Sequence, residues 1–461
     1  MHMLKQSKII ATLGPQTNTK DTIQNLVEAG VNCARINTAH GTFESYENLI
    51  RNTRSVSEIP IMIDVKGPEL RLRLDSEIII AEGSTVSIGT RESRPRFSYD
   101  LYDEVRVGDT VYVDGGEYEL KIVDKTSEKN IVLEAKQDTH LKPNKGVNIP
   151  HRKLAIPNLS EKDKEAIQFS HDHDVEYIAL SFVRNAEDVR NLKKLLQDDI
   201  GIIAKIENWQ GVNNLDEILP VVDGVMVARG DMGIEVGQEK VPGIQKDIIQ
   251  KAHKYGKMTI VATQMLETMT HTPTPTRAEV SDVANAVIDG ADAVMLSGET
   301  AIGSYPVKTV TMMTKIAKEA EKSAVKYVEL EQPTQCQQLS KAAHSLAQQK
   351  DIQKIVTLGK SMKATRLITR YRNHEPVIAV VPTEKLKRQL ELCWGVIPTK
   401  IDTFPDTHII PTITEHVFQE NLVRNKENLV YVAGVGTTQD KINLLEQHNV
   451  HRYRKFHNYA E

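Results

Sequence analysis

The feature of this chain that most constrains its fold is a series of short apolar runs separated by segments with helical patterning. Eight such runs occur: Lys8–Thr12, Cys33–Ile36, Ile61–Val65, Tyr177–Leu180, Ile202–Ile206, Gly224–Ala228, Thr259–Ala262 and Ala293–Leu296. Segments 19–30, 185–197 and 241–256 predict intervening helices, the first with Thr19 as N-cap and Gly30 at its end. Apolar strands alternating with helices are typical of a parallel sheet. Eight units over roughly 250 residues predict an α/β fold of the (β/α)₈ barrel type.

Residues 71–150 interrupt this alternation after the third run. The stretches EGSTVSIG, VRVGDTVYVDGGEYELKIVDK and NIVLEA predict short alternating strands, and Asp114-Gly115-Gly116 predicts a hairpin turn. An insertion at this point lies at the mouth of a barrel, where it can close over a site. We therefore expect a catalytic barrel from 1–70 and 151–332, with a small β-barrel lid domain from 71–150.

The remainder of the chain predicts a second α/β unit. The polar stretch EQPTQCQQ indicates a linker, and strands are expected at Lys354–Thr357, Pro376–Val381 and Leu429–Val432. We expect a C-terminal α/β domain over residues 333–461.

Composition excludes several classes of function. A formal net charge of −4 and an aromatic content of 5% do not favour binding to nucleic acid or to an anionic membrane. Cys33, Cys336 and Cys393 are too few and too far apart for a disulfide framework or a zinc site. Because no apolar run has the length of a membrane span and the first residues do not resemble a signal peptide, we expect a cytoplasmic protein.

Polar residues follow the predicted barrel strands, at the positions that carry the chemistry in barrels of this kind. They are Arg35, Asn37, His40, Asp64, Lys66, Ser181, Phe182, Lys205, Glu207, Arg229, Asp231, Thr263, Ser297 and Glu299. An alternative is that they form ion pairs and helix caps without catalysis. Their convergence on one mouth favours a site, because buried charges need a partner or a ligand to offset desolvation.

The types of these residues predict a small anionic substrate and a divalent metal. Glu207 and Asp231 are two carboxylates of the kind that Mg²⁺ takes from a protein. Lys205 lies on the same strand face as Glu207, and with Arg35 it would meet a phosphate or an enolate. Backbone N–H groups of the RGDMG turn would suit a carboxylate or phosphate. These residues leave the reaction itself open.

Two other features are interpreted as structural rather than functional, SHDHDV as solvated surface and Trp209 as packing. The stretch SHDHDV (170–175) resembles a metal cluster, but it lies where a helix is expected to end, and histidines are favoured there by the helix dipole. Trp209 is interpreted as a packing residue of the loop after the fifth strand rather than a platform for substrate.

The ordered motifs of the chain resemble those of the pyruvate kinase family over almost its whole length. They are TLGPQT, AGVNCARINTAHG, DVKGPELR, VYVDGG, KGVNIP, LSFVRNAEDV, AKIEN, DGVMVARGDMGIE, VATQMLETM, PTPTRAEVSDVANAVIDGADAVMLSGETAIGSYP and ELCWGVIP. The long stretch that ends in LSGETAIGSYP is the most specific of them. The resemblance implies a barrel, an inserted β lid and a C-terminal α/β domain, and phosphoryl transfer from phosphoenolpyruvate to ADP in glycolysis.

The resemblance also implies roles for particular residues. Glu207 and Asp231 would hold Mg²⁺ or Mn²⁺, Lys205 would face the transferring phosphoryl group and the enolate, and Arg35 would hold the phosphate. The pocket would include Ser181, Phe182 and the segment Ala228, Arg229, Gly230 and Asp231, with the substrate carboxylate near this backbone and the Thr263 hydroxyl. Thr263 would also belong to the relay that protonates the enolate, with Ser297 and Glu299 behind it. The nucleotide would meet Pro15, Asn37, His40, Arg71 and Lys145.

One departure from the family concerns a monovalent cation site, which would use Asn37, Asp64 and the Val65 carbonyl. The family motif Asn-Phe-Ser-His-Gly reads Asn37-Thr38-Ala39-His40-Gly41 here, so the serine oxygen is missing at Ala39. Glu69 is nevertheless the residue type that accompanies potassium dependence in the family. We expect potassium dependence to be weakened or altered.

A second departure concerns allosteric control. Effector-binding members carry a Thr/Ser-rich loop with a glycine, and Met362 stands at that glycine position here. The partner loop at 433–438, AGVGTT, still suits an anion. We do not expect control by fructose 1,6-bisphosphate, and a different phosphorylated effector, or none, remains open.

Two other functions remain open at this point. One is a metal-dependent pyruvate or phosphoenolpyruvate lyase, although that chemistry has no need of Lys145 or of a nucleotide-side loop. The other is a non-catalytic regulatory member of the family, which the presence of Lys205, Glu207, Asp231 and Thr263 disfavours. The resemblance further implies a homotetramer.

Overall fold

The structure is a computed structural model that describes residues 5–67, 69–89, 95–323, 330, 333–403, 405, 408–434 and 442–451. Its largest unit is a closed barrel of eight parallel strands. Barrel strands 1 to 8 are Lys8–Thr12, Cys33–Asn37, Ile61–Val65, Tyr177–Leu180, Gly201–Ile206, Gly224–Ala228, Met258–Ala262 and Ala293–Leu296. All eight predicted runs are therefore confirmed as strands, with ends that differ by at most one residue.

Helices surround the barrel and follow the predicted caps. The α-helices of this part are Lys20–Ala29, Phe43–Val56, Glu161–Asp172, Ala186–Lys193, Trp209–Asn213, Leu215–Ile218, Arg229–Val236, Val241–Tyr255, Arg277–Ile288, Gly298–Ala301 and Pro306–Ala320. Short 3₁₀ turns occur at Pro15–Thr17, Leu219–Val221, Gln238–Lys240 and Glu267–Thr270. The Thr19 side chain accepts the Thr22 N–H, and Gly30 ends the first helix with a φ of 121°. Both predicted signals at this helix are confirmed.

The inserted segment is an all-β module with its own apolar core. Its strands are Leu72–Arg73, Ile78–Ile80, Thr85–Gly89, Arg96–Phe97, Thr110–Val113, Tyr118–Lys125, Asn130–Ala135, Thr139–Leu141 and Val147–Asn148. Seven of them form one sheet, and Ile78–Ile80 pairs with Thr139–Leu141 in a second. Asp114 and the two glycines that follow all have positive φ, which confirms the predicted hairpin turn.

The C-terminal unit is a five-stranded sheet with helices. Its helices are Gln335–Ala347, Lys363–Thr369, Glu384–Leu390 and Ile409–Gln419, and its strands in spatial order are Val396–Lys400, Val377–Val381, Ile352–Leu358, Asn428–Ala433 and Leu444–Asn449. The three predicted strands are present, and the first and last in this order were not predicted. Both lie at edges of the sheet: one contains Pro398, and the other, antiparallel, is largely polar. Edge strands tolerate both features, so these segments lack the apolar signal of a central strand.

The C-terminal unit closes the end of the barrel opposite its mouth. Methionines of the barrel interior, among them Met226 and Met258, form one buried cluster with Met362, Leu390 and Cys393 of the C-terminal unit. The hydroxyl of Tyr177, the first residue of barrel strand 4, lies 2.7 Å from the Gln389 carbonyl oxygen and 3.4 Å from the Met362 sulfur. The packing inside the barrel is thus continuous with the second unit.

A buried ion pair joins the same two units. The Arg372 guanidinium donates to both carboxylate oxygens of Asp292, at 3.1 and 3.0 Å, and to the Gly290 carbonyl oxygen at 3.2 Å. Burial opposes ionisation of Asp292, but the adjacent Arg372 charge outweighs it and lowers the pKa of the carboxyl. Arg372 also lies over the Trp394 ring, 4.9 Å from its centroid.

Within the described part of the chain, no helix is both long and apolar enough to span a membrane.

We predict that Arg372→Met destabilises the protein strongly, because it leaves the Asp292 carboxylate buried without its cation. Breaking a buried pair in this way costs on the order of 3–5 kcal/mol. The measurement is the midpoint of thermal unfolding, compared with Arg190→Met. Arg190 pairs with Glu187 at 3.5 Å on the surface, where both side chains are more than half exposed, so this control should leave the midpoint nearly unchanged. Equal midpoints for the two variants would contradict the prediction.

A second prediction concerns His253, whose ring lies 2.7 Å from the Arg372 guanidinium. Burial, reinforced by the Arg372 charge, lowers the pKa of His253 from 6.5 to about 3. The unfolded chain therefore takes up a proton before the folded one. The contribution of neutral His253 to stability is complete above about pH 6.5 and is lost as pH falls toward 3. His253→Gln should flatten the fall of the unfolding midpoint between pH 6.5 and 4.5, whereas substitution of exposed His271 to Gln should leave that fall as it is in the parent chain.

Candidate active site

The mouth of the barrel brings Lys205 and Glu207 together on one face of barrel strand 5, as the strand period predicts. The Lys205 ammonium lies 3.0 Å from Glu207 Oε1. It also donates to the Ser181 hydroxyl at 2.7 Å and lies 3.2 Å from Asp64 Oδ1. Burial favours the neutral amine, but the two carboxylates outweigh it and raise the pKa of Lys205. The ammonium is therefore charged at neutral pH.

Asp64, at the end of barrel strand 3, connects the two cations of the site. Its carboxylate accepts from Arg35 Nε at 2.8 Å on one oxygen and lies against Lys205 on the other. Burial opposes its charge, but the adjacent Arg35 and Lys205 outweigh burial and lower the pKa of the carboxyl. Sequence reasoning placed Asp64 with a monovalent cation. In the structure its carboxylate pairs with Arg35 and Lys205, and the cation role stays a prediction.

Arg35 is held from two sides. Besides its bond to Asp64, it donates from a terminal nitrogen to the Thr12 hydroxyl at 2.8 Å, and that hydroxyl donates to the Leu296 carbonyl oxygen at 2.8 Å. The rest of the five N–H donors of the guanidinium have no partner within the described residues and can meet an anion. Sequence reasoning missed Thr12, although its position as the last residue of barrel strand 1 was a signal of the same kind as those that were used.

Glu207 and Asp231 form a pair of carboxylates suited to one divalent cation. Glu207 is 1% exposed and accepts the Phe182 N–H at 2.7 Å. Burial, with the nearby Asp231 charge, raises the pKa of Glu207; burial likewise raises the pKa of Asp231, with Glu69 and Asp64 adding to it. Two buried carboxylates whose charges oppose each other fit Mg²⁺, which uses one or two carboxylates and leaves positions for water and substrate oxygens. Groups of three or more potential ligand side chains are absent from the described residues.

Thr263 lies beside this pair on a turn with unusual backbone geometry. Thr263 and Gln264 have φ values of 72° and 51°, in the left-handed region. The Thr263 hydroxyl accepts the Gly230 N–H at 3.0 Å and donates to the Ala262 carbonyl oxygen at 2.6 Å. It is thus adjacent to the first turn of the helix Arg229–Val236, which carries Asp231.

Ser297 and Glu299 follow barrel strand 8, but the Glu299 carboxylate serves the backbone. It accepts the Ser297 N–H at 2.7 Å and the Leu266 N–H at 3.3 Å. It therefore ties the loops after strands 7 and 8 to each other, and no hydrogen bond joins it to the Thr263 hydroxyl.

Comparison with known proteins identifies this arrangement. Residues 4–310 match the model of the pyruvate kinase barrel domain, and residues 337–446 match that of the pyruvate kinase alpha/beta domain. The chain belongs to the pyruvate kinase family. It is 37% identical to the pyruvate kinase of Staphylococcus aureus strain MRSA252 over 97% of this chain and 81% of the relative. It is also 37% identical to that of Bacillus licheniformis over 96% of this chain and 80% of the relative.

A solved structure agrees with these relatives. The crystal structure of a pyruvate kinase from Cryptosporidium parvum matches with a TM-score of 0.89 and 30% identity, over 97% of this chain and 96% of the other. The expected family, fold class and enzyme class are confirmed. The lyase and the non-catalytic reading receive no support.

The residues expected at the nucleotide of a pyruvate kinase lie in two groups. Arg71 and Lys145 meet at the base of the lid, where Arg71 bridges Gly146 and the Lys145 ammonium lies 2.7 Å from Asp114. Pro15 and His40 are exposed on barrel loops. The lid also reaches the barrel, since the Asn148 amide donates to Glu235 Oε1 at 3.0 Å.

Oxygens of the predicted cation loop are bonded within the chain. Asn37 Oδ1 accepts the Ala39 N–H at 3.0 Å. The Thr38 hydroxyl and N–H both donate to the Asp64 carbonyl oxygen, at 2.9 and 3.0 Å. The hydroxyl hydrogen of Thr38 is therefore directed at the Asp64 carbonyl oxygen.

The segment 170–175 forms no metal cluster of three or more ligands among the described residues, but His171 and His173 are partly buried rather than solvated as expected. His173 ends the helix Glu161–Asp172 and stacks on Phe169, and Asp174 pairs with Lys385 and Arg388. Trp209 packs against the barrel core. In the C-terminal unit, Met362 is 7% exposed and packs toward Tyr177. Residues 435–438 of the expected anion loop lie outside the described residues.

Proposed function

We propose that this chain transfers the phosphoryl group of phosphoenolpyruvate to ADP, giving pyruvate and ATP in glycolysis. The observation that carries this proposal is the network in which Asp64 holds Arg35 and Lys205 beside the Glu207 carboxylate. Two preorganised cations next to a metal-type carboxylate pair suit a substrate that carries a phosphate and leaves an enolate.

In this reaction the basic residues bind the phosphate and the enolate, and the carboxylates bind the divalent metal. Arg35 binds the phosphate through its unoccupied N–H edge, and Lys205 neutralises the phosphoryl oxygens and then the enolate oxygen as the ester P–O bond breaks. Glu207 and Asp231 hold Mg²⁺ or Mn²⁺, which supplies further neutralisation of the phosphate and enolate oxygens when bound. Little covalent assistance is required, because phosphoryl transfer depends mainly on alignment and charge neutralisation.

We propose that the substrate carboxylate lies against the backbone of Ala228–Asp231 at the start of the helix Arg229–Val236, where the Gly230 N–H is donated to the Thr263 hydroxyl. Ser181 and Phe182 complete the pocket. The Thr263 hydroxyl belongs to the relay that passes a proton to the enolate carbon, and Ser297 and Glu299 support its loop. ADP meets Arg71 and Lys145 from the lid and Pro15, Asn37 and His40 from the barrel.

We expect pyruvate formation from phosphoenolpyruvate and ADP with Mg²⁺, and a loss of at least about 100-fold in kcat for Lys205→Met. That magnitude is typical of removing one preorganised group that stabilises transition-state charge. The measurement is steady-state pyruvate release. The control is substitution of Lys194 to Met, which changes a lysine that is 67% exposed and pairs with Glu187 on the surface. No turnover by the parent chain would refute the proposed reaction, and full activity of Lys205→Met would refute the role given to Lys205.

We further propose that potassium dependence is weakened, because Ala39 offers no side-chain oxygen and the Asn37 and Asp64 oxygens are bonded within the chain. The ratio of kcat in K⁺ to kcat in Na⁺ should be below about tenfold, equivalent to less than 1.4 kcal/mol. Ala39→Ser should raise that ratio by restoring a ligand. Negligible turnover in Na⁺ with many-fold activation by K⁺ in the parent chain would show that the prediction is wrong.

The remaining properties follow from the family. We propose a cytoplasmic homotetramer with domain limits at 1–70 with 151–332, 71–150 and 333–461. The burial of Met362 against the barrel supports the absence of control by fructose 1,6-bisphosphate.

A further inference from the structure

Arg229 was expected to contact the substrate, but its guanidinium is directed elsewhere. It reaches the turn after barrel strand 7, donating to the Thr263 carbonyl oxygen at 2.6 Å and to those of Ala262 and Gln264 at 3.3 Å each. It also lies 2.9 Å from the Met265 sulfur. Four consecutive residues are therefore bonded to one side chain that is itself only 11% exposed.

The segment that Arg229 holds has little tendency to adopt its conformation unaided. Thr263 and Gln264 are consecutive non-glycine residues with positive φ. Left-handed geometry is unfavourable for L-residues because Cβ approaches the following carbonyl oxygen, and it is worst for a β-branched side chain such as threonine. Such a turn persists only where its surroundings over-determine it. The N–H groups of the Arg229 guanidinium donate directly to the carbonyl oxygens of this turn.

The opposite end of the guanidinium is anchored to a different element. Arg229 lies 2.6 Å from Asp282 Oδ1 on the helix Arg277–Ile288. The residue after Arg229 donates its N–H to the Thr263 hydroxyl. Arg229 and Gly230 thus hold the backbone and the side chain of Thr263 from the same direction.

We propose that Arg229 is a positioning residue that stabilises the left-handed turn at Thr263 and Gln264 and so aims the Thr263 hydroxyl into the mouth of the barrel. The inference rests on the proposed function insofar as Thr263 acts on the substrate. It assigns the guanidinium of Arg229 to the turn and leaves only the backbone of that residue to the substrate.

The test uses the full-length chain with Arg229→Lys, which keeps the charge but loses the fork. Because a displacement of about 1 Å can reduce turnover by about 100-fold, we expect kcat to fall roughly 10- to 100-fold. The KM for ADP should stay within about twofold, since no hydrogen bond in the described part of the chain joins the turn to Arg71 or Lys145. The unfolding midpoint should change little.

A second substitution separates positioning from general structural support. Gln264 is exposed, and glycine adopts positive φ without the steric cost. The double variant Arg229→Lys, Gln264→Gly should have a kcat at least about threefold higher than Arg229→Lys alone. The reason is that a displacement of about 1 Å in a catalytic group can change the rate by up to about 100-fold, so a partial return to the parental position raises the rate. Gln264→Ala in the same background is the matched control and should recover none.

The Asp282 anchor provides the remaining comparison. Asp282→Asn keeps an oxygen acceptor for Arg229 and should reduce kcat much less than Arg229→Lys does. Parental kcat in Arg229→Lys would overturn the inference. The inference would also be overturned if Asp282→Asn lowered kcat as much as Arg229→Lys does and Gln264→Gly did not restore any of the kcat lost in Arg229→Lys.

A readout independent of activity distinguishes failure of this inference from failure of the proposed reaction. Hydrogen exchange of the peptide covering residues 262–268 should be faster in Arg229→Lys than in the parent chain. An inactive parent chain with this difference would refute the reaction and retain the role of Arg229. An active parent chain without the difference would overturn the inference alone.

Discussion

The active site depends on one buried carboxylate. Asp64 lies between Arg35 and Lys205 and keeps both cations close without leaving them unneutralised in a poorly solvated mouth. With Glu207, which pairs with Lys205, the network has two cations and two carboxylates, and removing any one of the four would leave one charge uncompensated. The Thr12 hydroxyl and the Ser181 hydroxyl extend this network to barrel strands 1 and 4. Side chains from different strands are thereby held in one rigid arrangement, as transition-state stabilisation requires.

The backbone at the mouth is held by the same kind of polar contact. Phe182 has a φ of 54°, and its N–H is accepted by Glu207, a member of the proposed metal pair. Thr263 and Gln264 are held in the left-handed region by Arg229. At both turns a charged side chain bonds the backbone of a neighbouring loop. Strained backbone therefore occurs where functional groups must be aimed, and charged groups of the site maintain it.

The opposite end of the barrel is closed by packing and by one ion pair. The methionine-rich interior is continuous with Met362 and Cys393, and the Arg372–Asp292 pair joins the two units at a buried position. Methionine suits this junction because its unbranched side chain fills irregular space. Met362 is itself buried and contributes to this packing.

The sequence by itself determined the strand–helix alternation, the inserted β module and the strand ends at which functional residues lie. It also determined that Lys205 and Glu207 share a face, because each of these features depends on local periodicity. It did not reveal the edge strands Val396–Lys400 and Leu444–Asn449, which lack a buried apolar pattern. Only the tertiary structure placed Asp64 between two cations, brought Thr12 to Arg35 and turned Arg229 toward Thr263. The physical reason is that these contacts join residues from different strands and loops, and side-chain direction across a closed barrel is set by packing and by the compensation of buried charge.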